Sequence, residues 1–317
     1  MQLKEVEGIG PAAVKKLKDA GIETVKDLAT QSLESLTGSV GIRKDLANKY
    51  LQKAHVLLRE NEEIGAEFID GNESLKNREA VVRIKTGSQK LDDFLYGGIE
   101  TQAVTEFYGE FGSGKSQLCH ALAMRCGLKK DDGGLEGSCI YIDTEGTFRP
   151  ERIKQMATAN ELDPTAVLAN IKICKVYNSG NLEYIIDNLG RYVDEFNAKM
   201  VVVDSVIALH RADYLGRGTL ADRQQRIQAI LHRMLRVAEI YKIAVIMTNQ
   251  VITAPDTFFG DPTKATGGNI IGHAATYRIY LRKSGKNRVV KMIDSPYHDN
   301  LDVKIQITSK GIEDAEE

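Results

Sequence analysis

Gly109-Glu110-Phe111-Gly112-Ser113-Gly114-Lys115-Ser116 sets glycines, a lysine and a hydroxyl at the spacing of a phosphate-binding loop, just ahead of a helical run from Gln117 to Cys126. Polyphosphate oxygens need converging backbone N–H donors, and glycine lets the main chain curl that tightly while the helix N-terminus adds a favourable dipole. In such a loop Lys115 reaches the β- and γ-phosphates and the Ser116 hydroxyl ligates Mg²⁺. Three further residues stand where they could complete the chemistry. Asp204 ends the apolar run Met200-Val201-Val202-Val203, where a carboxylate can hold the metal shell, although a strand ending in Asp is commonplace. Glu145 follows Tyr141-Ile142-Asp143-Thr144 and is the best-placed base for an attacking water. Gln250, after Thr248-Asn249, carries an amide that suits a γ-phosphate sensor and an ordinary loop residue equally well.

These residues converge only if the right elements carry them. Short, β-branched, nearly continuous apolar runs at 104–108, 139–143, 171–176, 200–204 and 243–248 alternate with helical stretches, which predicts a buried parallel sheet in an α/β core. Toward the C-terminus, 276–282 and 288–294 flank a Ser284-Gly285-Lys286-Asn287 turn and read as a hairpin, with 303–308 a further strand. The first sixty residues read as a small all-α unit. Pro11 suits a first helical position, Gly21 a C-terminal cap, Thr24 and Asp27 a capping box, and residues 42–58 a longer amphipathic helix. Between the two, 61–80 is acidic and poor in apolar residues and reads as a linker. The expected division is 1–60, 61–80 and 81–317.

Composition narrows the function classes. The chain has 317 residues, 42% hydrophobic and 27% charged, with no apolar run long enough to span a bilayer and a charged N-terminus where a leader would be apolar. The expectation is a cytoplasmic protein, nucleoid-associated, or nuclear in a eukaryote. Cys119, Cys126, Cys139 and Cys174 show no metal-site spacing and are expected as buried free thiols. A net charge of −2 does not exclude nucleic acid, because the charge is segregated: 60–79 is strongly acidic, whereas 276–291 carries six Lys or Arg and no carboxylate.

A longer series of motifs goes beyond the phosphate loop. Thr105 to Gln117, Asp143-Thr144-Glu145-Gly146-Thr147-Phe148-Arg149-Pro150, Tyr214-Leu215-Gly216-Arg217-Gly218, Thr248-Asn249-Gln250-Val251, Gly267-Gly268-Asn269-Ile270 and Asp294-Ser295-Pro296 occur in this order along nearly the whole chain. The series resembles the archaeal RadA recombinases and their eukaryotic strand-exchange relatives. The resemblance implies an α/β, RecA-like ATPase core with a C-terminal hairpin, preceded by a small all-α helix-hairpin-helix domain. It implies ATP-dependent homologous recombination and DNA repair through helical filaments on single-stranded DNA, which is then paired with a homologous duplex. No membrane is involved, and no mediator is specified.

By the same resemblance the loop from Gly109 to Gln117 binds ATP, with Lys115 and Ser116 on phosphate and Mg²⁺, Glu145 activating water, Asp204 in the metal shell and Gln250 coupling nucleotide to DNA. Arg152 lies against the adenine. Asp294 and Pro296 cap the ATP of a neighbouring subunit, with a monovalent cation such as K⁺ left open beside Asp294. Two DNA-facing loops follow, one with Arg211, Arg217 and Arg223, the other with Phe258, Phe259 and Lys264. In the helix from Leu220 to Ile240, Arg226, Arg233 and Arg236 are left as a solvated face. Gly8 and Gly10 form the phosphate-facing hairpin of the N-terminal unit, which binds without reading sequence.

Phe68, followed three residues later by Gly71 where the family usually has Ala, stands at the polymerisation motif. Tyr297-His298-Asp299-Asn300 departs from the usual Leu-Pro after the cap. Two other readings share the core: a ring-forming helicase or translocase, and a non-catalytic recombinase paralogue acting as a mediator.

Overall fold

The computed structural model describes residues 1–253, 263–266 and 274–316. Helices α1 (Pro11–Asp19), α2 (Val25–Ala29) and α3 (Lys44–Glu60) build the N-terminal unit. Pro11 occupies the first turn of α1, and the Thr24 hydroxyl accepts from the Asp27 N–H at 3.1 Å while the Asp27 carboxylate accepts from the Thr24 N–H at 3.0 Å, the reciprocal cap expected for α2. The acidic stretch contains a helix, α4 (Gly71–Glu79), none of whose residues is buried. A local signal starts it, since the Asp70 carboxylate accepts from the Glu73 N–H at 2.9 Å.

The remainder runs β1 (Arg83–Ile84), α5 (Gln89–Phe94), β2 (Ile99–Glu100), β3 (Ala103–Tyr108), α6 (Lys115–Arg125), β4 (Ser138–Asp143), α7 (Pro150–Ala159), α8 (Pro164–Ala169) and β5 (Ile171–Lys175). It continues through α9 (Ser179–Asp187), α10 (Leu189–Glu195), β6 (Ala198–Asp204), α11 (Ala208–Asp213), α12 (Leu220–Tyr241) and β7 (Ala244–Asn249). Then come β8 (Val251–Thr253), β9 (Thr263–Ala265), β10 (Tyr277–Ser284), β11 (Asn287–Asp294), β12 (Asp302–Thr308) and β13 (Gly311–Asp314).

A large sheet has the order β13-β12-β11-β10-β3-β7-β6-β4-β5. Strands β10, β3, β7, β6, β4 and β5 are mutually parallel, and β10 to β13 form an antiparallel extension. The last strand, β13, was not anticipated because four residues carry too little alternation to signal a strand.

Alternation along the central strands builds two apolar layers. Val201, Val203, Val245 and Met247 point to the face covered by α12, and Met200, Val202, Ala244 and Ile246 to the face covered by α6 and α7. The N-terminal unit joins the first layer: Leu17, Leu28 and Leu58 belong to the same buried cluster as the α12 residues Leu231 and Met234. Polar contacts fix the docking, with the Tyr241 hydroxyl donating to Asp27 at 2.8 Å and Arg236 donating to the Thr30 carbonyl at 2.8 Å.

On α12 the expected solvated face holds for exposed Arg226 but not for Arg233 and Arg236. Arg233 is 3% exposed and donates to the Asp187 carbonyl at 2.6 Å, closing the C-terminal end of α9, and Arg236 is spent on the N-terminal unit. The cysteines are free, but only Cys119, Cys126 and Cys139 are buried, and Cys174 is half-buried on β5.

Glu100 gathers four elements. It is buried, and it accepts from Arg78 of α4 at 2.7 Å, Arg83 of β1 at 2.7 Å, Tyr277 of β10 at 2.6 Å and Tyr297 at 2.5 Å. Burial opposes its ionisation, but hydrogen bonds from Tyr277, Tyr297 and Arg78, with the Arg78 charge, outweigh it and hold the carboxyl at about 2, below its ordinary 4.5. Because the folded value is depressed, the stabilisation is fully present above pH 4.5 and is lost as pH falls toward 2. Glu100→Gln is expected to cost about 2 kcal/mol at neutral pH and to flatten the acid limb of the melting curve between those values. Thermal melts of both proteins from pH 7 to 2 check this, and parallel acid limbs would contradict it.

Candidate active site

The C-terminal ends of β3, β4, β6 and β7 lie on one edge of the sheet, where ligands of open α/β sheets bind. The phosphate loop leaves β3, Glu145 follows β4, Asp204 ends β6 and Gln250 follows β7. A cleft of about 710 Å³ at this edge is lined by Gly109, Glu110, Phe111, Gly112, Gly114, Lys115, Ser116 and Gln117, together with Glu145, Asp204 and Gln250. Sheet order thus brings together residues spread over more than a hundred positions.

The loop has the backbone its sequence requires. Gly114 has φ 108°, and a side chain at Gly109 would put its Cβ 2.1 Å from the Leu281 carbonyl oxygen. Ser113 is buried under the loop, whereas the Phe111 side chain is fully exposed. The Lys115 ammonium donates to the Gly109 carbonyl at 2.9 Å and the Glu110 carbonyl at 3.0 Å, inside the curve of the loop. Burial lowers its pKa, against the opposing charges of Asp204 and Glu145.

Hydroxyls fix Asp204. Tyr141 donates to one carboxylate oxygen at 2.8 Å, Thr147 to the same oxygen at 3.3 Å, and Thr248 to the other at 2.5 Å. Burial, with Asp204 alongside, raises the Tyr141 phenol well above its ordinary pKa, so it stays a donor. Glu145 accepts on one oxygen from the Ser205 hydroxyl at 2.7 Å and the Gln250 amide at 3.0 Å. Gln250 is placed in turn from the preceding residue: its backbone N–H donates to the Asn249 side-chain oxygen at 2.8 Å, Asn249 donates to buried Glu106 at 2.8 Å, and Glu106 pairs with Arg278 at 2.7 Å.

This donor set fits a magnesium nucleotide. A loop of backbone donors and a lysine face a hydroxyl and an oriented carboxylate in one cleft, with a second carboxylate a short reach away.

Residues 77–315 match the Rad51 family, and residues 1–51 match a SAM-like helix-hairpin-helix tandem. The chain belongs to the Rad51 family. It is also similar to the DNA repair and recombination protein RadA of Cenarchaeum symbiosum (strain A), 45% identical over 316 residues, covering 99% of this chain and 79% of that relative. Family membership carries ATP-dependent homologous recombination and strand exchange as the function. It also matches the expected fold, an α/β RecA-like core behind a helix-hairpin-helix unit.

The remaining expected residues of the Rad51-family chain are distributed as follows. Arg152 does not line the cleft; it donates to Gln117 at 2.8 Å and to the Thr308 carbonyl, on the flank of α6. Asp294 ends β11 and Pro296 follows it, both away from the chain's own cleft and next to the Glu100 cluster. Arg211 is exposed on α11, and Arg223 is half-buried in the first turns of α12. Between them Arg217 opens a short 3-10 turn, Arg217–Thr219, so the first expected loop is mostly helical. Lys264 lies on β9, whose backbone pairs with β8, whereas Phe258 and Phe259 lie outside the described residues. Gly8 is left-handed at φ 90° and Gly10 caps α1. Phe68 is 91% exposed, and Gly71 opens α4.

Tyr141, Thr147, Thr248, Ser205 and Glu106 were missed; several adjoin a site residue in the chain, but sheet order decides which site residue each one contacts. Gly41 is likewise left-handed, at φ 71°, shortly before α3. Among the described residues, no helix is long and apolar enough to cross a membrane.

Proposed function

We propose that this chain is a DNA-dependent ATPase that polymerises on single-stranded DNA, pairs it with a homologous duplex and exchanges the strands. The observation that carries the reading is the cleft itself, where Lys115, Ser116, Asp204, Glu145 and Gln250 meet, with Gln250 directly preceding strand β8 of the second DNA loop. Bound Mg²⁺-ATP supplies the phosphoanhydride and the metal's charge. Lys115 and the N–H groups of 109–117 would hold the phosphates, Ser116 and Asp204 would hold the metal, and Glu145 would take the proton of the attacking water. Gln250 moves between Glu145 and the γ-phosphate, so that the state of the nucleotide reaches the DNA loop.

Assembly uses segment 61–80 and the cap. Exposed Phe68, in an acidic stretch, fits a pocket on a neighbouring copy, and Gly71 leaves the second pocket of that motif without a methyl. Asp294 and Pro296 reach a neighbour's nucleotide, with K⁺ as a candidate counterion, and Arg152 flanks the adenine. Arg211, Arg217, Arg223, Lys264, Phe258 and Phe259 grip single-stranded DNA, and the Gly8 hairpin holds backbone phosphate. On this reading unit 1–60 contacts backbone phosphate, 61–80 serves assembly, and 81–317 carries the nucleotide site, the cap and the two DNA loops.

Electron microscopy with single-stranded DNA, with and without a non-hydrolysable ATP analogue, tests this. Helical filaments that require nucleotide, and that shorten in Phe68→Ala, are expected. Closed rings or isolated molecules with all components in excess would overturn the reading.

A further inference from the structure

His120 lines the cleft from the fourth residue after Ser116, yet it is 1% exposed and no part of the proposed chemistry uses it. Its two ring nitrogens have different partners. The Arg149 backbone N–H can only donate, and it points at His120 Nε2 at 3.2 Å, so Nε2 is the acceptor and the proton sits on Nδ1. Nδ1 faces the Ser116 carbonyl at 2.5 Å. The ring packs in a three-membered aromatic cluster with Tyr141 and Phe148, centroids 5.6 and 5.2 Å away, which together with the two hydrogen bonds holds its orientation.

Those partners belong to the two halves of the site. Ser116 opens the phosphate-loop helix. Arg149 ends the segment that carries Glu145, and the return leg of that segment is pinned at three successive N–H groups. The Asp143 carboxylate takes Thr147 at 3.0 Å and Phe148 at 3.2 Å, and His120 takes Arg149. Glu145 and Gly146 are thereby the apex of a loop clamped from β4 on one side and from α6 on the other.

We infer that His120 is a positioning residue for ATP hydrolysis: as a rigid spacer with a donor at one end and an acceptor at the other, it sets the separation between the phosphate loop and Glu145. It touches no reacting atom and acts through the Glu145 loop. Few other side chains offer this, because imidazole alone among rigid rings presents opposed donor and acceptor nitrogens at neutral charge. Nucleotide affinity depends on the loop and Lys115, whereas turnover depends on where Glu145 sits, so the two should separate on substitution.

The inference rests on the proposed ATPase reading, and the experiment keeps the two apart. Turnover with single-stranded DNA, equilibrium binding of a fluorescent ATP analogue and thermal melting are measured for the full chain, His120→Phe and His120→Gln. Phe keeps the ring and its stacking but loses both nitrogens; Gln keeps a carbonyl acceptor that reaches Arg149. The expected result is about a tenfold or larger loss of kcat in His120→Phe with affinity held within about twofold, and recovery of most of that loss in His120→Gln.

A parental kcat in His120→Phe would overturn the inference. So would joint loss of kcat and affinity with no recovery in His120→Gln, which would make the ring a filler of the core. Should His120→Phe fail to fold, His120→Asn, which keeps the short-range donor but falls short of Arg149, takes its place with the same expected loss. A parent protein that hydrolyses no ATP overturns the ATPase reading and this inference together.

Discussion

Lys115→Ala is expected to lower ATP turnover by about 10²- to 10³-fold and to abolish nucleotide-dependent assembly on DNA. The reason is where the ammonium sits. It is held inside the curve of the loop by the Gly109 and Glu110 carbonyls, where its charge interacts with both Asp204 and Glu145. Alanine removes the lysine charge that faces those carboxylates and the β- and γ-phosphates. Because the Lys115 ammonium bonds to carbonyls of the phosphate loop, the variant should melt near the parent temperature, which separates a site effect from misfolding. Steady-state hydrolysis, light scattering with ATP and single-stranded DNA, and a melt suffice. Parental assembly in this variant would move the nucleotide site elsewhere.

Glu145→Gln should act differently. Turnover is expected to fall about 10²- to 10⁴-fold, the range for loss of a general base, while nucleotide and DNA binding persist. The geometry explains the separation. The Glu145 oxygen that accepts from Ser205 and Gln250 has a counterpart in the glutamine carbonyl, so the local hydrogen bonds survive while the basic oxygen is lost. ATP should therefore trap this variant in the assembled state, visible as long filaments that outlast those of the parent once free ATP is removed. Normal turnover would take Glu145 out of the chemistry and point to another group for orienting water.

Much of the site was legible in the chain itself. Gly114 is forced by a left-handed backbone, and with Gly109 and Lys115 at the fixed spacing of a phosphate loop it announces that loop before any fold is known. The runs ending in Asp143 and Asp204 are continuously apolar because both faces of their strands are covered, and that made the parallel core readable. Arg233 was misread for a related reason. Periodicity counts apolar residues, and a cation buried on the carbonyls of another helix looks the same in sequence as one in water. The segment 61–80 was read by composition, which gives a short exposed helix such as α4 no apolar stripe to betray it.

What sequence alone determined is therefore what short-range physics controls: glycine-dependent turns, helix caps, strand runs, and the residue types able to handle phosphate, metal and water. The tertiary structure alone decided which of them meet. Strand order sets Tyr141 and Thr248 on the Asp204 carboxylate, aims Gln250 at Glu145, and brings His120 to Arg149 and Glu100 to Arg78, Tyr277 and Tyr297. These contacts join residues 22 to 197 positions apart, a range over which no local preference acts, and they exist because burying both faces of one sheet leaves few ways to lay its strands side by side.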